Sequence, residues 1–242
     1  LLNDNRLIKT INFDKYRDVG DPTSTAKILS DSDADEIILL DINRKKKSIK
    51  DLAKHINHIC ENCFVPLSVG GGIKNIENAV HIIKSGADKI ILNSICYKNY
   101  SVISEISNRL GKQAVIASVD VRKEKNKYVL FSENGKKKES VSLEDHLRKL
   151  VENGVGEIMI NSIDLEGTMS GIDLNLVSKV SAYVNVPVIS TGGIGNYDHI
   201  KDVFTQSSSS AVACGSLFNF TDSNPIRTKY YLKSYNIPLR IY

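Results

Sequence analysis

Seven short apolar runs, each closed by a small or polar residue, constrain this chain more than any other feature. Ile37-Ile38-Leu39-Leu40 ends at Asp41, Pro66-Leu67-Ser68-Val69 at Gly70, and Ile90-Ile91-Leu92 at Asn93. Val115 to Val119 ends at Asp120, Ile158-Met159-Ile160 at Asn161, Pro187-Val188-Ile189 at Ser190, and Ala211-Val212-Ala213 at Cys214. Short unalternated runs of this kind are strands buried on both faces of a parallel sheet. Between them lie helix-length stretches with apolar residues three and four apart, such as Ile76, Val80, Ile83 and Ile103, Ile106, Leu110. Gly86, Gly111 and Gly154 fall where those helices should stop. An eighth strand would fit before Leu1, so the first strand is expected to be incomplete at the N-terminus. Eight βα units over 242 residues predict a single (β/α)8 TIM-barrel domain spanning residues 1–242.

The two halves repeat one another. Asp41, Gly72 and Ser94 are echoed by Asp164, Gly193 and Ser216 at offsets of 123, 121 and 122 residues. Three anchors at nearly one spacing point to two half-barrels of four βα units each.

Chemistry in such a barrel sits at the carboxyl ends of the strands. Two glycine turns, Gly70-Gly71-Gly72 and Gly192-Gly193-Ile194-Gly195, free backbone N–H groups to face an anion. Each is followed one unit later by a pair suited to a helix N-terminus, Asn93-Ser94 and Gly215-Ser216. One phosphate cradle per half predicts a substrate with a phosphate at each end. Asp41, Asp120 and Asp164 follow apolar strands and can act as general acid or base, or simply cap the next loop. Arg122 and Lys123 follow Asp120 closely and are expected to favour its charged form. Stepping back one repeat from Asp120 reaches the start of the chain, where Leu1 cannot move a proton. At the opposite end, Glu36, Lys89 and Glu157 begin their strands. They form either a salt-bridged plug or something that must open.

The charge balance, 32 basic against 28 acidic residues, is too mild to suggest nucleic acid, and Lys45-Lys46-Lys47 reads as a solvated loop. No apolar run is long enough to cross a bilayer, and nothing resembles a signal peptide. Four irregularly spaced cysteines argue against a disulfide scaffold and for a reducing cytoplasm. Cys60 and Cys63, with His55 and His58 upstream, lack the second ligand pair that a zinc site needs, so no metal is expected. His146 and His199 have no evident partner and read as surface histidines. Ser207 to Ser210 reads as a helix-to-strand connection. Tyr230, Tyr231 and Tyr235 are expected to pack the last helix across the barrel floor.

These residues resemble the cyclase subunit of imidazole glycerol phosphate synthase, the HisF family. The likeness runs in order through NDNRLIKTINFDKYRDVGDP (Asn3 to Pro22), EIILLDI (Glu36 to Ile42), PLSVGGGI (Pro66 to Ile73) and GADKIILNS (Gly86 to Ser94). It continues through SVDVRK (Ser118 to Lys123), GEIMINSIDLEGTMSG (Gly156 to Gly171) and ISTGGIG (Ile189 to Gly195). The resemblance implies a glutaminase partner (HisH-like) docked on the floor, releasing ammonia that crosses the barrel. It maps a floor gate onto Glu36, Lys89 and Glu157, with Asp88 touching the partner. It maps phosphate ligands onto Gly72, Asn93, Ser94, Gly167, Gly193, Gly215 and Ser216, a mobile-loop lysine onto Lys9, and one of two catalytic aspartates onto Asp120. Asp41, Asp164, Glu166 and Thr191 complete the expected pocket. Ammonia would add to a phosphorylated substrate there, with no metal or redox cofactor.

Three departures set this chain apart within the resemblance. Leu1 stands where the family has its first catalytic aspartate, Thr10 replaces a glycine after the loop lysine, and Glu166 replaces an aspartate. The floor gate is retained while half of the acid–base pair is gone, a combination that resembles the HisF-like branch that supplies ammonia-dependent amidination of nucleotide-linked sugars for surface polysaccharides. The alternatives are the histidine-pathway cyclase itself and a barrel that only activates the glutaminase and channels its ammonia.

Overall fold

A computed structural model describes residues 1–43 and 49–240; Lys45-Lys46-Lys47 lie outside them. The chain opens on β1 (Leu2–Asn3), β2 (Arg6–Ile11) and β3 (Lys15–Gly20), an antiparallel meander. Then α1 (Pro22–Asp31), β4 (Ile37–Leu40), α2 (Ile49–Cys60), β5 (Leu67–Gly70), α3 (Ile76–Lys84) and β6 (Lys89–Leu92) alternate. Next come α4 (Ser94–Lys98), α5 (Ser101–Leu110) and a long β7 (Val115–Glu124), whose end folds back through β8 (Lys127–Ser132) and β9 (Lys137–Lys138). The second half supplies α6 (Leu143–Glu152), β10 (Glu157–Ser162), α7 (Leu174–Tyr183), β11 (Val188–Thr191) and α8 (Tyr197–Gln206). It ends with β12 (Ala211–Ala213), α9 (Ser216–Phe220) and α10 (Pro225–Lys233).

All seven apolar runs are strands, paired in parallel in the order β12-β11-β10-β7-β6-β5-β4. This is the α/β TIM-barrel fold, with the helices outside. Among the described residues no strand pairs with both β4 and β12. Leu2 makes a single parallel bridge to Asp41 at the upper end of that seam. The expected helix stops hold: Gly86, Gly111 and Gly154 all take positive φ at or just past a helix end.

The half-barrel repeat is visible in the backbone. Asn75 and Asn196, 121 residues apart, cap α3 and α8 with nearly the same angles (φ −157°, ψ 175° and φ −155°, ψ 175°). Gly71 and Gly72 share their left-handed φ with Gly192 and Gly193.

Side chains point alternately in and out along a strand, and this stratifies the interior. On β6 the inward set is Lys89, Ile91 and then Asn93; on β10 it is Glu157, Met159 and Asn161; on β7 it is Ile116, Ser118 and Asp120. Ile91, Ile116, Met159 and Ile189 form a buried apolar cluster of their own. The outward residues of the same strands, such as Ile90, Val115, Ile158 and Val188, join the larger core beneath the helices. The barrel therefore holds a charged layer at the strand starts, an apolar layer above it, and a polar layer at the strand ends.

Three expectations need correction. His146 is 1% exposed: its ring stacks on Tyr97 at 4.1 Å, and its Nδ1 lies 2.7 Å from the Tyr100 hydroxyl, joining α6 to α4 and α5. His199 is half-buried, its Nδ1 accepting from the Gly195 N–H at 3.1 Å, so it braces the second glycine turn. Tyr231 and Tyr235 pack beside α8 rather than across the floor. Tyr231 packs on Tyr197 and donates to Asp198 at the start of α8, and Tyr235 lies against Tyr231 and Lys201.

Candidate active site

A cavity of about 880 Å³ opens at the carboxyl ends of the strands. Leu1, Lys9, Asp41, Gly72, Asn93, Ser94, Asp120, Glu166, Thr191 and Gly215 all line it. The first glycine turn, the first helix-start pair and Gly215 of the second thus face one space. Gly167, Gly193, Asp164 and Ser216 do not line it. A Cβ on Gly167 would lie 2.0 Å from the Thr10 carbonyl oxygen, so this glycine lets β2 lie flat over the turn after β10. A Cβ on Gly193 would lie 1.9 Å from the Gly171 oxygen, and the Gly193 carbonyl accepts from Gly171 N–H at 2.8 Å. Asp164 accepts from the backbone N–H of Lys123 at 2.8 Å, the capping alternative. Asp41 lines the cavity and also accepts from Asn43 N–H at 2.9 Å.

The β2–β3 hairpin covers the cavity. Lys9 forms an ion pair with Glu166, both nearly buried, and its side chain lies against Gly215. The Asn12 N–H donates to the Glu166 carbonyl at 2.8 Å, and Arg17 sits 4.1 Å from the centre of the Phe220 ring. The loop read from the sequence is a β-hairpin docked against Gly215 and Phe220.

Asp120 is 6% exposed. Its Oδ2 accepts from Asn93 Nδ2 at 2.7 Å and its Oδ1 from Asn161 Nδ2 at 3.1 Å. Burial raises its pKa from 3.8 to about 6; the two amide hydrogen bonds pull it down and the nearby negative charge of Glu166 pushes it up. The expected help from Arg122 and Lys123 is absent. Their cationic groups lie over the rings of Phe131 and Tyr128, drawn there by the β7–β8 ribbon. A carboxyl titrating near pH 6 can give or take a proton under physiological conditions. Asn161 escaped the residue-by-residue reading. Counting every second residue from Glu157 along β10 places it on the inward face.

At the floor, Lys89 Nζ lies 2.8 Å from Glu36 Oε2 and 2.7 Å from Glu157 Oε1, and Ser68 donates to the other Glu36 oxygen. Burial lowers the Lys89 pKa, but hydrogen bonds to Glu157 and Glu36 more than compensate and leave it above the usual lysine value. Asp88 is exposed beside this layer and accepts from Leu67 N–H at 2.8 Å. It shares a smaller cleft with Cys60, Cys63 and Phe64, the last 87% exposed. Among the described residues no helix is long and apolar enough to cross a membrane.

A family model described as "Histidine biosynthesis protein" matches residues 3–223. A protein of Alkaliphilus metalliredigens named imidazole glycerol phosphate synthase subunit HisF is 36% identical over 236 residues, 97% of this chain and 94% of the relative. Proteins of the same name from Pelodictyon phaeoclathratiforme (35% identical, 98% of this chain and 95% of the relative) and Clostridium botulinum strain Okra (36%, 98% and 94%) match over nearly full length. With this likeness added to the barrel and its mouth, the chain belongs to the HisF family of imidazole glycerol phosphate synthase subunits.

Proposed function

We propose that this protein is an ammonia-using synthase subunit of the HisF type. It takes nitrogen from a glutaminase on its floor and adds it to a phosphorylated small molecule held at its mouth, serving amidination of nucleotide-linked sugars. The observation that carries this reading is the layering of the barrel interior. A triad of Lys89, Glu36 and Glu157 closes the floor, an apolar layer lies above it, and Asp120 waits at the top. From Lys89 to Asn93 is four residues of strand, about 13 Å. An apolar layer passes neutral ammonia and rejects ammonium, because an unpaired charge there is costly. The triad must separate for passage, so it gates the floor; Asp88 beside it would touch the partner.

At the mouth, the backbone N–H groups at Gly72, Asn93 and Ser94 hold one phosphate. On the opposite side Gly215 and Lys9 face the cavity and take the other, with Gly167 letting the hairpin close. Asp120 exchanges protons with the reacting nitrogen or its acceptor. Leu1 supports the sugar branch over the histidine pathway, since it offers no second carboxylate where the family has one. The names of the relatives favour the histidine pathway.

Purified protein supplied with ammonium salt and the phosphoribulosyl aminoimidazole substrate decides between them. Release of the carboxamide ribotide would establish the histidine reaction. No release, together with binding and activation of the glutaminase, is the expected result. Failure of both sinks the whole reading. Asp120→Asn is expected to lower the nitrogen-transfer activity by about 100-fold or more; an unimpaired variant removes Asp120 from the mechanism.

A further inference from the structure

We propose that Asn161 is a positioning residue for Asp120, and that Gly192 is glycine in part to let it act. The inference rests on Asp120 being the proton-transfer carboxylate. Strand β7 lies between β6 and β10, and Asn161 pairs directly with Asp120 in the β7–β10 register. Asn93, just past the end of β6, reaches one carboxylate oxygen and Asn161 reaches the other from β10, at 2.7 and 3.1 Å. A carboxylate gripped at both oxygens from opposite sides cannot rotate about its own axis, yet each oxygen keeps a further lone pair for a proton.

The Asn161 amide is committed to this task. Its Nδ2 donates to Asp120, while its Oδ1 is buried with no hydrogen-bond partner. A buried acceptor left empty is unfavourable, so a side chain chosen for stability alone would not be this amide. Gly192 leaves it room. At φ +94° a Cβ there would lie 2.8 Å from Asn161 Oδ1, as well as 2.9 Å from the Ser162 oxygen. At the equivalent place in the first half, a Cβ on Gly71 would meet backbone instead, 2.2 Å from the Asp41 oxygen. The two glycine turns thus share a shape, and only the second touches a side chain bonded to Asp120.

Three other ionisable groups act on this site. Glu166 from the turn after β10 acts directly on Asp120, Lys9 from β2 is paired with Glu166, and Tyr97 from α4 senses the Asp120 charge. None of them hydrogen-bonds Asp120 among the described residues, so the amides set its orientation.

The test is a carboxyl carbon NMR titration of Asp120 in the whole protein, for the parent, Asn161→Leu and Gly192→Ala. Leucine keeps the branched outline of asparagine and removes its donor. The parent midpoint is expected near 6. In Asn161→Leu it should rise by about one pH unit, because the ionised form loses one of its two donors. Gly192→Ala should move it the same way with Asn161 still present, and decides alone if Asn161→Leu does not fold. A midpoint that stays put or falls overturns the proposal. If the midpoint moves but the parent shows no nitrogen transfer with any acceptor tried, the functional reading fails while the positioning role stands. If transfer occurs, its acid limb should follow the NMR midpoint in both variants; a limb that ignores it overturns the proposal for the reaction.

Discussion

Replacing Asp120 with asparagine should make the fold more stable at neutral pH while abolishing its acid–base chemistry. Burial lifts the Asp120 pKa from 3.8 to about 6, so ionising it in the folded chain is harder than in the unfolded one. A difference of about two pH units corresponds to about 3 kcal/mol. The folded value lies above the unfolded one. The favourable contribution of the protonated form is therefore complete below pH 3.8 and is lost as pH rises through about 6. Asparagine never ionises and so escapes this loss. It also finds partners in place. Its Oδ1 can accept from Asn93, and a rotated Asn161 amide can offer its now unpartnered Oδ1 to the new Nδ2. Allowing for imperfect geometry, Asp120→Asn should gain about 1–3 kcal/mol at pH 7.5, or several degrees in Tm for a chain of this size. The gain should shrink to nearly nothing by about pH 4. Urea denaturation across that range measures it directly. A variant less stable than the parent at pH 7.5, or a difference that ignores pH, would refute the reasoning.

Two further perturbations follow from buried charge and buried imidazole. Lys89→Met leaves Glu36 and Glu157 facing each other at the floor and should cost about 3 kcal/mol at pH 7. A loss below about 1 kcal/mol contradicts the triad as a stabilising unit. His146, held neutral by burial with its pKa lowered to about 4, stabilises the fold above its unfolded value of 6.5. That contribution, about 3 kcal/mol, should drain away as pH falls from 6.5 to 4. His146→Phe should flatten the stability–pH slope in this window, and an unchanged slope would show that other groups set it.

The strands were legible because each is short, apolar and ended by a residue that cannot continue it, and the helix ends because glycine marks them. The two-fold repeat was legible from three anchors, and its deeper match at Asn75 and Asn196 was not, because an asparagine cap is unremarkable until its angles are known. Local sequence misled where the deciding partner is far away. Arg122 and Lys123 follow Asp120 in the chain, yet the ribbon of β7 and β8 carries them to Phe131 and Tyr128. His146 lacked a neighbour in sequence and found Tyr97 of α4 and Tyr100 at the start of α5. Gly167 matched a phosphate ligand by motif, whereas its missing side chain admits Thr10 of the hairpin.

The alternation of inward and outward residues was readable in advance, and it says more than any single motif. Lys89 on β6 and Asn93 just past its end sit four apart, as do Glu157 and Asn161 on β10, so a charged floor and an amide-lined mouth are fixed by the same two strands. Shifting either strand by one residue would turn its floor charge and its mouth amide outward together. Mutations that loosen β6 or β10 should therefore disturb the floor triad and the Asp120 hydrogen bonds at once, whereas changes on β5, which carries Ser68 toward the floor and ends in the first glycine turn, bring no side chain to Asp120 and should leave its hydrogen bonds intact.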